Sequence, residues 1–430
     1  MKPYRELSKE ALQELLAQQR KEHAAYKAKG LKLNMTRGKP SPEQCDLSLP
    51  MLDVVTSNTE AEILHAGQND DVRNYGGLTG LPAARELMAS IMGVDAEDTV
   101  VCGNSSLSIM YDLVSQAVTH GLAGQAPWSK LPEPARFLCP VPGYDRHFAL
   151  TEHFGISMIP LPMTPEGPDM DQVERHVNAD PLVKGIWCVP KYANPTGITY
   201  SENVVRRLAA LLPAAKDFRI YWDNAYAVHD LAAQGEAAQL LNIKDACDEA
   251  SHPHHWYQFA STSKITFAGS GIAALASSEE NLKSITKTLS YQTIGPDKIN
   301  QKRHTLFLPN PDAVHEHMAK HAALLRPKFD MVEQVLTKRL VKTGIGTWSK
   351  PQGGYFISFD GPQNTARRTV ELAAQAGVVL TAAGATFPYG EDPLDANLRI
   401  APTYPGLEEL ETAVEVFTTC VRIAALEQLL

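Results

Sequence analysis

From about residue 98 onward the chain alternates short apolar runs with longer amphipathic segments, and this alternation narrows the fold more than any other feature. The runs are TVVC (99–102), RFLC (136–139), GISMIPL (155–161), VKGIWCV (183–189), FRIYWD (218–223), WYQFAS (256–261) and GIAALAS (271–277). Most are apolar at odd and even positions alike, the pattern of strands covered on both faces. Strands of that kind separated by helical segments predict an α/β fold with a large doubly wound, mostly parallel sheet. In such a sheet the working residues belong on the loops that leave the carboxyl ends of the strands.

The pattern changes after about residue 320. A long helical stretch (313–344) precedes WSKPQGGYFISF, GVVLTAAGATF and ANLRIAPTY, which read as a smaller α+β lobe. At the other end Ser8 is a helix N-cap, Leu12, Leu15 and Leu16 give one apolar face, and Gly30 stops the helix. The expected organisation is a segment of residues 1–50 that joins the small domain, a large domain over 51–320 and the small domain over 321–430. With 430 residues and 44% hydrophobic content, the chain can bury a core of that size. A net charge of −9 argues against nucleic acid or an anionic membrane as its partner. No run approaches the roughly 18 to 20 apolar residues of a membrane span. The N-terminal segment is charged throughout, unlike a signal peptide. Cys45, Cys102, Cys139, Cys188, Cys247 and Cys420 are scattered without a CxxC pair, as in the reduced thiols of a cytoplasmic protein.

Polar residues gather at the ends of the predicted strands. After 99–102 comes GNSSL, where Ser105, Ser106 and the backbone N–H groups of a helix start make a phosphate site; an ordinary N-cap uses the same residues. After 136–139 comes PVPGYDRHF, whose Tyr144 either stacks on a flat ring or fills a turn. After 183–189 comes PKYANPTG: Pro195 biases Asn194 to an extended conformation and Gly197 permits a tight turn. Strand 218–223 ends in Asp223, with Tyr226 three residues on. An acid in that place must be paired or hydrogen-bonded, within a structural ion pair or a site. The next strand runs into STSKITFAGSG (261–271) and delivers Lys264 among hydroxyls and glycines. Each set has a plain explanation alone; their order on successive strands asks for a shared one. His252, His254 and His255 fall in a polar loop with no carboxylate or cysteine at a metal-ligand spacing. The GSG at 269–271 lacks the strand–glycine–helix context of a dinucleotide site.

The ordered set NYGGLTGLPAARE (74–86), GNSS (103–106), PGY (142–144), NPTG (194–197), DNAY (223–226), STSK (261–264), GATFPYG (384–390) and NLRIAPTY (397–404) resembles the fold-type I pyridoxal phosphate enzymes, specifically the class I/II aminotransferases. With NMTRGKP (34–40) ahead of it, the chain looks most like the divergent bacterial aspartate aminotransferase subgroup. The resemblance implies a large seven-stranded-type sheet domain beside a smaller α+β domain, with pyridoxal 5′-phosphate as cofactor. It implies that Lys264 bonds the cofactor and moves a proton at the substrate carbon, for which its amine must be neutral. Asp223 would hold a proton on the pyridine nitrogen, Tyr226 and Asn194 would bond the ring oxygen, and Tyr144 would stack on the ring. Ser105, Ser106 and Ser261 would hold the phosphate, with Tyr75 reaching over from the partner of a homodimer, and Ser263 would also bind the cofactor. Arg399 would clamp the substrate α-carboxylate through two parallel hydrogen bonds. One departure stands out: the family usually carries an arginine seven or eight residues after the lysine, and here Gly271 and Ile272 occupy those places.

The activity implied is transfer of an amino group from L-aspartate to 2-oxoglutarate by a ping-pong mechanism. A dicarboxylic substrate needs a second cation. Arg37, in a loop with Gly38 and Pro40, is the first choice, and Lys298 and Arg303 in GPDKINQKRH are the others. Each also reads as a solvated or ion-paired surface group. The alternatives are an aminotransferase for aromatic or other amino acids, or a lyase that releases ammonia and needs no oxo-acid acceptor. From another class, a non-catalytic effector-binding module would carry a basic DNA-binding domain, and one mixed-charge helix before NMTRGKP is too short for that.

Overall fold

The computed structural model describes residues 3–36, 38–65, 71–232 and 237–430. Among these the strands are, in chain order, β1 (Leu33–Asn34), β2 (Thr99–Val101), β3 (Arg136–Val141), β4 (Ser157–Thr164), β5 (Gly167–Pro168), β6 (Val183–Cys188) and β7 (Arg219–Asp223). They continue with β8 (Trp256–Ser261), β9 (Ala273–Ala276), β10 (Thr347–Trp348), β11 (Ile357–Asp360), β12 (Val378–Val379) and β13 (Asn397–Ile400).

The large sheet has the order β2-β9-β8-β7-β6-β3-β4-β5. The pairs from β8 through β4 are parallel. β9 runs antiparallel to both its neighbours, and β5 antiparallel to β4. The seven longer strands are the seven apolar runs of the sequence with their ends moved by a few residues. The two-residue β5 adds an eighth that no apolar run announces.

Every residue of β2, β6, β7 and β9 is buried, which is why those runs are apolar at both parities. Along β7, Ile220 and Trp222 enter one core with the helices Pro82–Met92 and Glu202–Ala209. Tyr221 enters the core on the opposite face with the helix Ser106–His120. Because β9 reverses against both neighbours, β2 points the same way as β8. The carboxyl ends of β2, β3, β6, β7 and β8 therefore lie along one edge of the sheet.

A third core joins the two ends of the chain. The antiparallel sheet β10-β11-β13 packs there with the helices Pro311–Leu340 and Leu407–Leu429. The N-terminal helix Lys9–Ala28 starts where Ser8 Oγ accepts from Ala11 N at 3.3 Å, and its buried Leu12 and Leu16 lie in the same core. β1 then pairs in parallel with β12. All six cysteines are free thiols. Among the described residues no helix is long and apolar enough to cross a membrane.

Candidate active site

The strand ends converge on a cavity of about 200 Å³. β2 leads to the helix Ser106–His120, whose N-cap Ser105 makes no capping bond with its side chain; Ser105 and Ser106 line the cavity. β3 leads through Pro142 and Gly143 to Tyr144, and the helix Asp145–His153 begins at the next residue. β6 leads to Asn194, whose bond to Pro195 is cis. Gly197 closes that turn with φ +72°, and a Cβ there would come within 2.5 Å of Pro351 Cβ, so the turn requires glycine. β7 ends in Asp223, and β8 ends in Ser261, followed by one helical turn, Thr262–Lys264.

Asp223 is buried, and its two oxygens are treated differently. Oδ2 lies 3.0 Å from His147 Nε2, and the His147 ring stacks on Trp187 at 4.4 Å. Oδ1 has no partner. An unmet buried acceptor costs about 1–3 kcal/mol, and a ligand atom that carries a hydrogen relieves it. Lys264 Nζ shares the cavity, 5.0 Å from the centre of the Tyr226 ring. Burial lowers the Lys264 pKa below that of an ordinary lysine, with Asp223 opposing the shift. Burial first, then Tyr144 and Asp223, raises the Tyr226 phenol well above its ordinary range, so it stays a hydrogen-bond donor. Tyr144 is pushed up to about 12, chiefly by burial.

Arg399 arrives from β13 of the other sheet. Its Nη1 donates to Asp145 Oδ1 at 2.7 Å and to Asn194 Oδ1 at 3.3 Å. Its guanidinium carbon lies 4.8 Å from the centre of the Phe356 ring. Gly38 lines the cavity against the same Phe356, whose ring would collide with a Cβ at position 38.

The structure thus brings Ser105, Ser106, Tyr144, Asn194, Asp223, Tyr226, Ser261, Ser263, Lys264 and Gly38 around one cavity. Arg399 stands beside it through Asn194. Arg37 lies outside the described residues. Tyr75 is 82% exposed and absent from the lining of its own chain's cavity. Its carbonyl accepts from Lys298 Nζ at 3.3 Å. Lys298 is buried rather than a surface group, and among the described residues Arg303 has a buried Nε without a partner; neither lines the cavity.

At the places of the missing arginine the loop is tied down by amides. Asn300 Nδ2 donates to Ser270 O at 2.9 Å and to Gly271 O at 3.0 Å, and Asn104 Nδ2 donates to Gly269 O at 3.4 Å. A larger cavity of about 760 Å³, lined by Trp222, Ala227 and Gln258 among others, holds the Lys191–Asp230 ion pair. The strand-end hydroxyls, Lys264 and Asp223 line the smaller one, so size does not mark this site.

Three residues of the site escaped the sequence reading: His147 on Asp223, Asp145 on Arg399, and Phe356 under Arg399. The signal for His147 was its place three residues past Tyr144, one helical turn beyond the sheet edge.

The aspartate amino-transferase family model matches residues 7–430. An aspartate aminotransferase of Corynebacterium glutamicum is 45% identical over 402 residues, 93% of this chain and 91% of that protein. The crystal structure of an aspartate transaminase from Corynebacterium glutamicum superposes with a TM-score of 0.95 at 43% identity, covering 100% of this chain and 99% of that one. The α-aminoadipate aminotransferase LysN of Thermus thermophilus, complexed with N-(5′-phosphopyridoxyl)-L-leucine, superposes with a TM-score of 0.72 at 19% identity. It covers 95% of this chain and 96% of its own, and shares the fold.

Proposed function

Because the chain belongs to the aspartate amino-transferase family and is an aminotransferase, we propose that it converts L-aspartate and 2-oxoglutarate to oxaloacetate and L-glutamate, with pyridoxal 5′-phosphate held beside Lys264. One observation carries the reading. A buried lysine of lowered pKa shares a cavity with a buried aspartate whose Oδ1 has no partner.

The residues present fit the cofactor. Asp223 Oδ1 would accept from the protonated ring nitrogen, and His147 holds Oδ2 so that the carboxylate cannot turn away. Tyr226 and Asn194 would bond the ring oxygen, and Tyr144 would cover the ring face. Ser105, Ser106, Ser261 and Ser263, with the N-terminus of the helix Ser106–His120, would hold the phosphate. When bound, the group supplies an electron sink for the charge left on the substrate Cα.

Lys264 moves the proton to and from that carbon, and the lowered pKa leaves its amine free to take it. Arg399 binds the α-carboxylate, and Arg37 the distal one. Donor and acceptor use the same groups in turn, which makes the cycle ping-pong. Tyr75 would come to the phosphate from a second copy of the chain. Gly295 packs closely on Gly76, and the neighbouring Tyr75 and Ile294 are both exposed and available to that copy.

The test is steady-state turnover of L-aspartate and 2-oxoglutarate. Lys264→Ala should lower kcat by at least about 100-fold; activity near that of the wild type would reject Lys264 as the proton carrier.

A further inference from the structure

Asp145 takes no part in the steps above, yet it makes the shortest contact Arg399 has, with Nη1 donating to its Oδ1 at 2.7 Å. Asp145 opens the helix after β3 of the large sheet, and Arg399 sits on β13 of the small one, so the pair links the two sheets beside the cavity. The same Nη1 reaches Asn194 Oδ1 at 3.3 Å, and the Phe356 ring packs against the guanidinium. Among the described residues Nε is buried without a partner and Nη2 makes no hydrogen bond or ion pair. A guanidinium grips a carboxylate with two parallel N–H groups, from its Nη1/Nη2 end or from its Nε/Nη2 edge. Here the end is taken and the edge is free.

We propose that Asp145 is a positioning residue that decides which edge of Arg399 meets the substrate. By holding Nη1 it presents Nε and Nη2 to the α-carboxylate. The proposal rests on the reading of Arg399 as the carboxylate site. Its second effect concerns charge. The Arg399 side chain is 7% exposed and would be an uncompensated buried cation before substrate arrives; Asp145, with a side chain 33% exposed, balances it from the solvent side. Arg399 is therefore already turned to its working orientation, and substrate binding does not have to order it.

The test compares wild-type holoenzyme with Asp145→Ala, Asp145→Asn and Arg399→Ala. It reads KM for L-aspartate, kcat, the calorimetric Kd of succinate (a dicarboxylate that cannot react), the melting temperature and the visible spectrum of the bound cofactor. Asp145→Ala should raise KM and the succinate Kd about tenfold, the effect of losing one charged hydrogen bond. It should leave kcat within about twofold and the spectrum unchanged, while lowering the melting temperature, because Arg399 is left a buried cation without its partner. Asp145→Asn, which keeps an oxygen in place, should recover most of the loss. An unchanged KM, or a lower one, in both Asp145 variants would overturn the proposal; a lower one would make Asp145 a competitor for Arg399. Arg399→Ala separates the two readings. If it too leaves KM and Kd unchanged, the carboxylate assignment of Arg399 fails; if it raises them while the Asp145 variants do not, the positioning role alone fails. Should Asp145→Ala not fold, Asp145→Asn and Asp145→Glu carry the same comparison.

Discussion

At the residue scale the site depends on groups that act through one another. Asp223 is useful because one oxygen is held and the other is free, and His147 does the holding. Replacing His147 by Phe keeps a ring to stack on Trp187 but leaves both oxygens of a buried carboxylate without a partner. Such a group takes up a proton or turns away, and either change would remove the charge that Asp223 is proposed to set against the ring nitrogen of the cofactor. His147→Phe should therefore lower kcat about tenfold or more, in line with about 1–3 kcal/mol for an unmet buried group. His147→Gln, which restores a donor, should recover part of it. A kcat for His147→Phe equal to that of the wild type would show that Asp223 needs no anchor. Neither His147 nor Asp145 could be read with its role from the sequence. Each acts on a residue that comes close only after β3, β6, β7 and β13 have been assembled; helical spacing puts His147 near the sheet edge but does not name Asp223 as its partner.

At the element scale the turn that carries Lys264 is pinned from beneath by buried histidines. His304 Nε2 lies 3.0 Å from Thr262 Oγ1 and 2.9 Å from Thr266 Oγ1. His317 Nε2 lies 2.8 Å from Ile265 O, and His229 Nε2 3.3 Å from Lys264 O. His321 Nε2 meets His317 at 3.2 Å, while its Nδ1 accepts from Gln44 Nε2 at 3.0 Å. Burial lowers the pKa of all four, that of His321 to about 4. The folded histidines thus stay neutral while unfolded ones, with ordinary values near 6.5, take up protons. They cost no stability above pH 6.5, where both states are neutral, and stability falls as pH drops toward 4, by about 3 kcal/mol for His321 alone. The urea midpoint should be level above pH 7 and decline between pH 6.5 and 4.5, with a shallower decline for His321→Gln. A level midpoint across that window would mean that the histidines do not stay neutral in the fold.

These elements were themselves legible, because strands buried on both faces write their burial into both parities of the sequence. The two-residue β5 was not, since Gly167 and Pro168 carry no apolar signal.

At the scale of the whole molecule, chemistry collects along one edge of the sheet even though the sheet order departs from the chain order, with β2 beyond β9 and β6 beside β3. The strand-end motifs could be read because each follows its apolar run directly, and the parallel sheet brings those ends to one edge. Arg399 and Gly38 come from β13 and from the segment after β1, far along the chain from that sheet. Their place could be expected by resemblance to a family but not by spacing. Tyr75, Tyr291 and Ile294 are 82%, 81% and 63% exposed, large apolar side chains of the kind that the proposed second copy would cover.

The most direct measurement is the absorption spectrum of the purified protein, supplied with pyridoxal 5′-phosphate, before and after L-aspartate is added without any oxo acid. The expected result is a visible band that bleaches toward the near ultraviolet as oxaloacetate is released, and that returns when 2-oxoglutarate is added. A protein that shows no visible band, or one whose band ignores L-aspartate, would contradict the assignment of the Lys264 cavity as an aspartate aminotransferase site.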